Sequence, residues 1–255
     1  MSVPALLLEC PDDSIAILTL NRPERRNALT IELMESLCET LNVLAMEPRR
    51  RVVILNGAGP AFCAGLDLQE SADLSTAERG AEWVARTLQT LSQSPLVTIA
   101  AAHGAAFAGG AGLLSCCDFA IGTPELRLAF PEVRRGLVPA LVGAILHDRL
   151  RDADLRELFF IGEAINAERA QAMGLLQRIV PADRLLDEAR AMAATILQGA
   201  PDAIRQTKRL LQELRSTAPA QRLTQALEFH KRARSSDEAR EGIAAFFEHR
   251  ATNWK

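Results

Sequence analysis

A glycine-rich stretch, residues 103–112, is the part of the sequence best suited to hold a ligand. It contains Gly104, Gly109, Gly110 and Gly112 and directly follows an apolar run. Glycine lets a ligand approach the backbone closely and leaves amide N–H groups accessible. If a short helix begins near Gly110, its first amides face outward and favour negative charge. The same composition is also typical of tight packing, so both interpretations stay open here.

Two phosphate-binding motifs are excluded in this stretch. Gly104 and Gly109 have the spacing of a phosphate loop, but Gly110 and Ala111 follow instead of Lys and Ser or Thr. A dinucleotide fingerprint starting at Gly110 ends on Ser115, where that motif requires Gly or Ala.

Two further segments could complete a site. Residues 56–67 form a second glycine-rich exit from a strand. Two such loops, each following a strand, can direct two backbone N–H groups at a carbonyl oxygen that gains negative charge. Glu132 stands after Phe130 and Pro131, and burial there would raise its pKa toward the range useful for proton transfer. A single Glu after a Pro is also typical of a surface turn.

Strands and helices alternate through the first two-thirds of the chain, which predicts an α/β core. A hairpin is predicted over 5–10 and 14–20, and a helix capped by Thr30 follows. Ser75 with Glu78 is typical of a capping box at the start of another helix. Buried strands are predicted at 51–55, 96–102 and 118–122. Each of them precedes or follows a glycine-rich segment.

The pattern changes after about residue 180. We predict a core domain over 1–180 and a helical region over 181–255, with helix breaks at Pro201 and Pro219 and a capping box at Ser235 and Glu238. These helices have alternating apolar stripes and Arg-rich faces, so they must pack on their own core or on another subunit. The pattern therefore favours self-association.

Composition excludes several classes of protein. The 255 residues are 48% hydrophobic and 24% charged, which is typical of a globular chain. A net charge of −3 gives no basic field for nucleic acid. No CxxC pair occurs among the five cysteines and no apolar run is long enough to span a membrane, so we expect no metal site and no membrane segment. We expect a cytoplasmic protein.

The order of the motifs along the chain resembles the crotonase (enoyl-CoA hydratase/isomerase) superfamily. Each motif alone is weak, but the ordered set covers nearly the whole chain. The matching pieces are Asn21-Arg22-Pro23, Asn27-Ala28-Leu29, Phe62-Cys63-Ala64-Gly65-Leu66-Asp67, His103-Gly104, Ala108-Gly109-Gly110, Cys117-Asp118, Phe130-Pro131-Glu132-Val133, Gly136-Leu137-Val138-Pro139, Gly162-Glu163-Ala164-Ile165 and Ala170-Gln171-Ala172-Met173-Gly174-Leu175-Leu176.

The resemblance implies a fold, a substrate and a set of site residues. The fold is a superhelix of repeated ββα units with C-terminal helices that build a homotrimer or a dimer of trimers. The substrate is an acyl-CoA thioester, and no cofactor or metal is needed. The thioester oxygen is held by the backbone N–H groups of Leu66 and Gly109, and Glu132 transfers the proton. The residues implied at the CoA moiety are Arg25, Arg26, Ala28, Ala64, Asp67 and Leu68.

One departure from the family pattern bears on the reaction. Hydratases with two carboxylates carry a first Glu two residues after the Gly-Gly pair, where this chain has Gly112, and only Glu132 is kept. A single carboxylate suits a 1,3-shift between 3-enoyl and 2-enoyl thioesters. The segments around Gly112 and Glu132 nevertheless resemble methylglutaconyl-CoA-type hydratases, which also lack the first Glu.

We therefore predict an enoyl-CoA hydratase. The alternatives are a Δ3,Δ2-enoyl-CoA isomerase with a single glutamate, a non-catalytic acyl-CoA-binding protein and, less favoured, a hydrolase or decarboxylase on the same scaffold. Arg134 and Arg135 follow Glu132 and are interpreted as a solvated pair rather than as ligands of a substrate carboxylate.

Overall fold

The computed structural model describes residues 3–70 and 73–254. Within this range the strands alternate with helices over the first two-thirds of the chain, as the hydrophobic pattern predicts. The strands are β1 (Leu6–Glu9), β2 (Ile15–Leu20), β3 (Val52–Gly57), β4 (Val97–Ala102), β5 (Ala105–Phe107), β6 (Phe119–Gly122), β7 (Arg127–Ala129), β8 (Ile165–Asn166) and β9 (Arg178–Ile179).

The described strands form two sheets. The larger has the order β1-β2-β3-β4-β6-β9, with β1 and β2 antiparallel and the other neighbours parallel. The predicted hairpin is therefore confirmed. Every residue of β4 is buried, as expected for a parallel strand covered on both faces. In the smaller sheet, β5 pairs with β7 in parallel and β7 pairs with β8 in antiparallel.

Helices cover the larger sheet and make up the C-terminal part of the chain. A 3-10 turn, Glu132–Arg135, lies between β7 and the fourth α-helix, and a π-turn, Glu157–Ile161, follows the fifth. The α-helices are α1 (Ile31–Met46), α2 (Leu74–Gln93), α3 (Gly109–Cys116), α4 (Ala140–Leu146), α5 (Asp152–Arg156), α6 (Ala167–Ala172), α7 (Leu185–Leu197), α8 (Pro201–Ser216), α9 (Pro219–Arg234) and α10 (Asp237–Phe247).

Helix starts agree with the sequence except at two caps. The Thr30 hydroxyl accepts from Leu33 N at 3.2 Å, as predicted. α2 is capped by Asp73, which accepts from Thr76 N at 3.0 Å, so the prediction of Ser75 as the cap is wrong. The Ser75 hydroxyl instead donates to the Asp73 carboxylate, because a charged acceptor is the stronger partner.

The second misplaced cap lies before α10. Ser236, not Ser235, caps this helix by accepting from Ala239 N at 3.1 Å. Glu238 caps a different helix, since its carboxylate accepts from the amides of Asp202 and Ala203 at the start of α8. A carboxylate is favourable there because the first amides of a helix have no partner in the helix itself.

The chain divides into two compact units, Met1–Ala193 and Ala194–Lys255, later than the predicted boundary at residue 180. The first unit contains one hydrophobic core between the sheets and helices α1, α2 and α3, centred on fully buried side chains such as Phe62 and Phe130. Among the described residues, no helix is long and apolar enough to cross a bilayer.

Candidate active site

Three chain segments end side by side at one edge of the smaller sheet. Cys63 forms a parallel bridge with Ala106 in β5, and β5 pairs in parallel with β7. Parallel strands run in the same direction, so the residues that follow them meet at one edge. Leu66 follows the first segment, Gly109 follows β5, and Glu132 follows β7. The topology therefore brings together the three residues that the sequence proposes for catalysis.

The Leu66 amide is directed away from its neighbouring strand. Leu29 N donates to Gly65 O at 2.8 Å, and Asp67 N donates to Leu29 O at 2.9 Å. Leu66 lies between these two bonds, so its own N–H points to the opposite side of the segment. Its amide donates to no acceptor among the described residues.

The Gly109 amide has no acceptor within α3 because of its place at the start of the helix. Ala108 before it has φ +48°, a conformation that is costly for any residue with a Cβ. A bond of 2.8 Å from Ala108 N to Ala129 O holds this turn. The strained residue reverses the chain from β5 into α3.

The two amides are close enough to share one ligand atom. A Cβ added to Gly109 would lie 4.0 Å from Leu66 N, and a Cβ added to Gly65 would lie 3.5 Å from Gly109 N. The second would also meet Phe107 O at 2.8 Å, and Gly65 has φ +92°, so only glycine fits there. We call Leu66 N–H and Gly109 N–H the amide pair. Such a pair is suited to stabilise an oxyanion.

Glu132 begins the 3-10 turn and is half-buried. Its Oε2 is buried without a hydrogen-bond partner among the described residues. Burial raises the pKa of the Glu132 carboxyl, while its own backbone N–H and the charge of Arg135 partly oppose this effect. Phe130, two residues earlier, is fully buried and packs edge-on against Phe159. A carboxyl whose pKa is raised in this way is suited to accept and return a proton.

Gly112 is a buried residue of α3 and lies in apolar surroundings. A Cβ added there would meet Val142 Cγ1 at 2.9 Å and Leu88 Cδ2 at 3.1 Å. These side chains come from α4 and α2, which both pack on α3. The position of the first family glutamate is therefore closed by aliphatic groups, and no carboxylate is supplied from it.

The six residues predicted to contact CoA lie in two neighbouring segments. Ala64 N donates to Arg26 O at 2.9 Å, and the Arg25 guanidinium donates to the Gln69 side chain. Arg25, Arg26 and Leu68 are exposed, whereas Ala28 and Ala64 are partly buried. Their assignment to CoA stays a prediction.

Asp67 is the exception because its carboxylate already has a partner. It forms an ion pair with Arg22 at 3.1 Å and is only 7% exposed. Burial alone would raise its pKa, but the hydrogen bond from Arg22 and the amide of Gln69 hold the pKa of Asp67 below its ordinary value. In the structure this side chain fastens the segment after Leu66 rather than facing an open surface.

Two residues that position the site were not predicted as functional. Asn27 is fully buried, and its amide nitrogen donates to the carbonyls of Ala58, Ala61 and Phe62. Arg22 binds both Asp67 and the Ala28 carbonyl. Together they hold the second glycine-rich segment in place. Both residues belong to the motifs that carry the family resemblance, and this membership is the sequence signal that could have identified them.

Neither a reactive thiol nor a metal centre is found among the described residues of the site. Burial raises the pKa of the Cys63 thiol to about 12, so it stays protonated and donates to Asn27 O at 3.1 Å. Among the described residues, no group of three His, Cys, Asp or Glu side chains is arranged to hold a metal ion.

Comparison with known proteins gives a consistent result. The family model described as enoyl-CoA hydratase/isomerase matches residues 11–255. A Thermus thermophilus protein provisionally named enoyl-CoA hydratase is 37% identical over 241 residues, covering 92% of this chain and 95% of its own. The carnitinyl-CoA dehydratase of Proteus mirabilis is 34% identical over 251 residues, covering 95% of each chain. The crystal structure of an enoyl-CoA hydratase of Mycobacterium smegmatis superposes with a TM-score of 0.94 at 30% identity, covering 99% of each chain.

Proposed function

Because the chain belongs to the enoyl-CoA hydratase/isomerase family and has its crotonase fold, we propose that it hydrates a 2-enoyl-CoA thioester. The observation that carries this proposal is the amide pair, Leu66 N–H and Gly109 N–H, at the same sheet edge as the half-buried Glu132. Relatives that are named hydratases or dehydratases support hydration over the other reactions.

The amide pair acts on the thioester oxygen. As water attacks C3, electrons move from the double bond to this oxygen and give an enolate. Two fixed N–H donors stabilise the charge, and losing one such donor typically costs about 3–4 kcal/mol of transition-state stabilisation. Because the donors are backbone groups, the side chain of Leu66 is not part of this interaction.

Glu132 moves the proton. In its ionised form it accepts a proton from the attacking water, so that hydroxide adds to C3. The same carboxyl then returns the proton to C2 of the enolate, and the sum is the addition of one water. Gly112 supplies no second carboxylate, so one group serves both steps. Its raised pKa brings the two steps closer in energy.

One observation favours a second candidate function. Val142 and Leu88 close the position of Gly112 with aliphatic groups, so this position supplies no second carboxylate beside Glu132. A single carboxylate can take a proton from C2 of a 3-enoyl thioester and deliver it to C4, so a Δ3,Δ2-enoyl-CoA isomerase is the alternative.

Mass-resolved turnover tests both functions. The protein and its Glu132→Gln variant are incubated with 2-enoyl-CoA and 3-enoyl-CoA thioesters, 3-methylglutaconyl-CoA included. We expect a product heavier by one water, with kcat lowered about 10²- to 10⁴-fold in the variant. A moved double bond without a mass change would replace the hydratase by the isomerase. Binding of the thioesters without either product would overturn both and leave an acyl-CoA-binding protein.

Self-association and the lack of a cofactor are further parts of the proposal. The C-terminal unit exposes large apolar side chains, which supports self-association, and we propose a homotrimer or a dimer of trimers. The amide pair and Glu132 supply the chemistry described above, so we propose no metal or redox cofactor beyond the CoA of the substrate. Cytoplasmic location stays a prediction. Light scattering measures the oligomeric state, and turnover after dialysis against a chelator tests whether a metal is needed. The exposed apolar residues of the C-terminal unit are Leu211, Leu223, Leu227, Phe246 and Phe247.

A further inference from the structure

Arg135 shares the 3-10 turn with Glu132. The turn runs from Glu132 to Arg135 and ends at Gly136, which has φ +72°. In a 3-10 helix, side chains three residues apart lie one above the other. Arg135 therefore extends from the same side of the turn as Glu132, whereas Arg134 extends from a different side.

The two arginines differ in their partners. Arg134 donates to Ile161 O at 2.9 Å and to Glu163 Oε1 at 2.7 Å, so its charge is neutralised by Glu163. The Arg135 guanidinium is exposed and makes no hydrogen bond or ion pair with any residue that the structure describes. Neighbouring sequence positions thus hold one bound guanidinium and one free guanidinium.

The other charges around the turn are already paired. The π-turn Glu157–Ile161 packs against it and contributes Glu157, whose carboxylate binds Arg169. Glu163, beyond that turn, binds Arg134. α4, which follows, has no titratable side chain between Ala140 and Leu146. The field of Arg135 at Glu132 is therefore not opposed by a free charge from these elements.

Glu132 needs such a charge because its surroundings favour the neutral acid. Its Oε2 is buried without a partner, and burial raises its pKa. The ionised form is the one that accepts a proton from water. A nearby positive charge favours that form and acts against the effect of burial.

We infer that Arg135 is a positioning residue that keeps the Glu132 carboxylate ionised for proton transfer. It acts through Glu132 and makes no contact with the reacting atoms. The inference rests on the proposed function only in that proton transfer by Glu132 is the step it supports.

The pH dependence of kcat/KM tests it in three variants. Arg135→Gln removes the charge, Arg135→Lys keeps it, and Arg134→Gln makes the same charge change in the same turn. We expect the acidic limb of the Arg135→Gln profile to move to higher pH, so that kcat/KM on that limb is about 2- to 5-fold below wild type. The alkaline plateau stays unchanged. Arg135→Lys and Arg134→Gln follow the wild-type profile, and added salt reduces the difference because the guanidinium is exposed.

An infrared titration of Glu132 separates this inference from the proposed function. The carboxyl band is isolated by subtracting the spectrum of Glu132→Gln, and no turnover is required. A shift of its titration in Arg135→Gln alone supports the inference even if the protein proves inactive. Superimposable titrations of wild type and Arg135→Gln, or an equal shift in Arg134→Gln, would overturn it.

Discussion

The two halves of the site are built in different ways. The amide pair consists of backbone N–H groups at Leu66 and Gly109, fixed by strand bridges and by the start of α3. The carboxylate half is one side chain, Glu132, on a 3-10 turn whose next three residues are exposed. The amide pair depends on the absence of side-chain atoms at Gly65 and Gly109, which would crowd the two N–H donors. The carboxylate half depends on the charges and the burial around one carboxyl.

This difference predicts how each half fails. Added atoms damage the amide pair, because its donors have no side chains to adapt. Changes of charge damage the carboxylate half, because its function depends on the ionisation of Glu132. Substitutions that add volume should therefore act on turnover through the first half, and substitutions that alter charge should act through the second.

Gly109→Val is the largest expected effect. The new Cβ would lie 4.0 Å from Leu66 N and 3.1 Å from Leu29 Cδ1, so the branched side chain fills the space between the two donors. We expect kcat/KM to fall at least about 10³-fold, since each lost donor is worth about 10²–10³. Steady-state turnover checks this, and thermal unfolding checks that the variant is folded.

Gly143→Val is the matched control for that variant. Gly143 lies in α4, where an added Cβ meets nothing closer than Phe159 at 3.6 Å. We expect turnover within about 3-fold of wild type, because ordinary contacts of this kind cost little. Normal turnover in a folded Gly109→Val protein would remove Gly109 from the amide pair.

Gly112→Glu tests whether the site has room for a second carboxylate. The new side chain would meet Val142 and Leu88, so it buries an acid among aliphatic groups. We expect a loss of about 2–4 kcal/mol in the free energy of unfolding and no gain in turnover. Denaturant unfolding and turnover measure the two.

Gly112→Ala separates crowding from charge at that position. The added Cβ displaces the stiff Val142 side chain, whose Cγ1 would lie 2.9 Å away, but alanine favours the helix, so the two effects oppose each other and we expect a change below about 1 kcal/mol. A stable Gly112→Glu protein with faster hydration would show that the carboxylate half accepts two acids, and the single-carboxylate mechanism would be wrong.

The sequence and the structure agree best where backbone sterics decide. The glycines at 65 and 109 stand out in the sequence, and the strands before them follow from short apolar runs. The misplaced caps show the limit, because Ser75 and Glu238 fit a local motif but bind partners set by neighbouring geometry. The positive φ of Ala108 has no local signal, since it is imposed by the tertiary turn from β5 into α3.

The carboxylate half was predictable only in part. Glu132 was identified through the resemblance, because a single Glu after Pro131 is otherwise typical of a surface turn. The difference between Arg134 and Arg135 could not be predicted, because it depends on Ile161 and Glu163, which are distant in the sequence. Long-range contacts of this kind leave no periodic signal.

Asp67→Asn should destabilise the segment that carries Leu66. The substitution keeps the shape but removes the charge that Arg22 binds, and the Asp67 side chain is only 8% exposed. We expect a loss of about 1–3 kcal/mol in the free energy of unfolding, because one partner of a largely buried pair is left alone. The pKa of Asp67 is lowered on folding, so this stability is present above its unfolded pKa and is lost as pH falls through the folded value.

Asp13→Asn is the control for this ion pair. Asp13 binds Arg49 at 2.9 Å, but both side chains are more than 70% exposed. We expect a change below about 0.5 kcal/mol, as is usual for surface pairs. Equal losses in the two variants would mean that Asp67 does not fasten the segment. In that case the predicted contact with CoA would be the better assignment for Asp67.

Glu132→Gln should raise stability slightly although it lowers turnover. Folding raises the pKa of Glu132, so the ionised carboxylate destabilises the folded state at every pH above the unfolded pKa, and the cost is complete above the folded one. Replacing it with an amide removes that cost. We expect a gain below about 1 kcal/mol at pH 8, because the group is half exposed, and a Tm higher by about 1–3 °C. At pH 4, where the carboxyl is largely protonated in both states, the two proteins should unfold at the same temperature. A Glu132→Gln protein that is less stable than wild type at pH 8 would mean that the carboxylate is held by favourable contacts, and the carboxylate half would then resemble the preformed amide pair rather than differ from it.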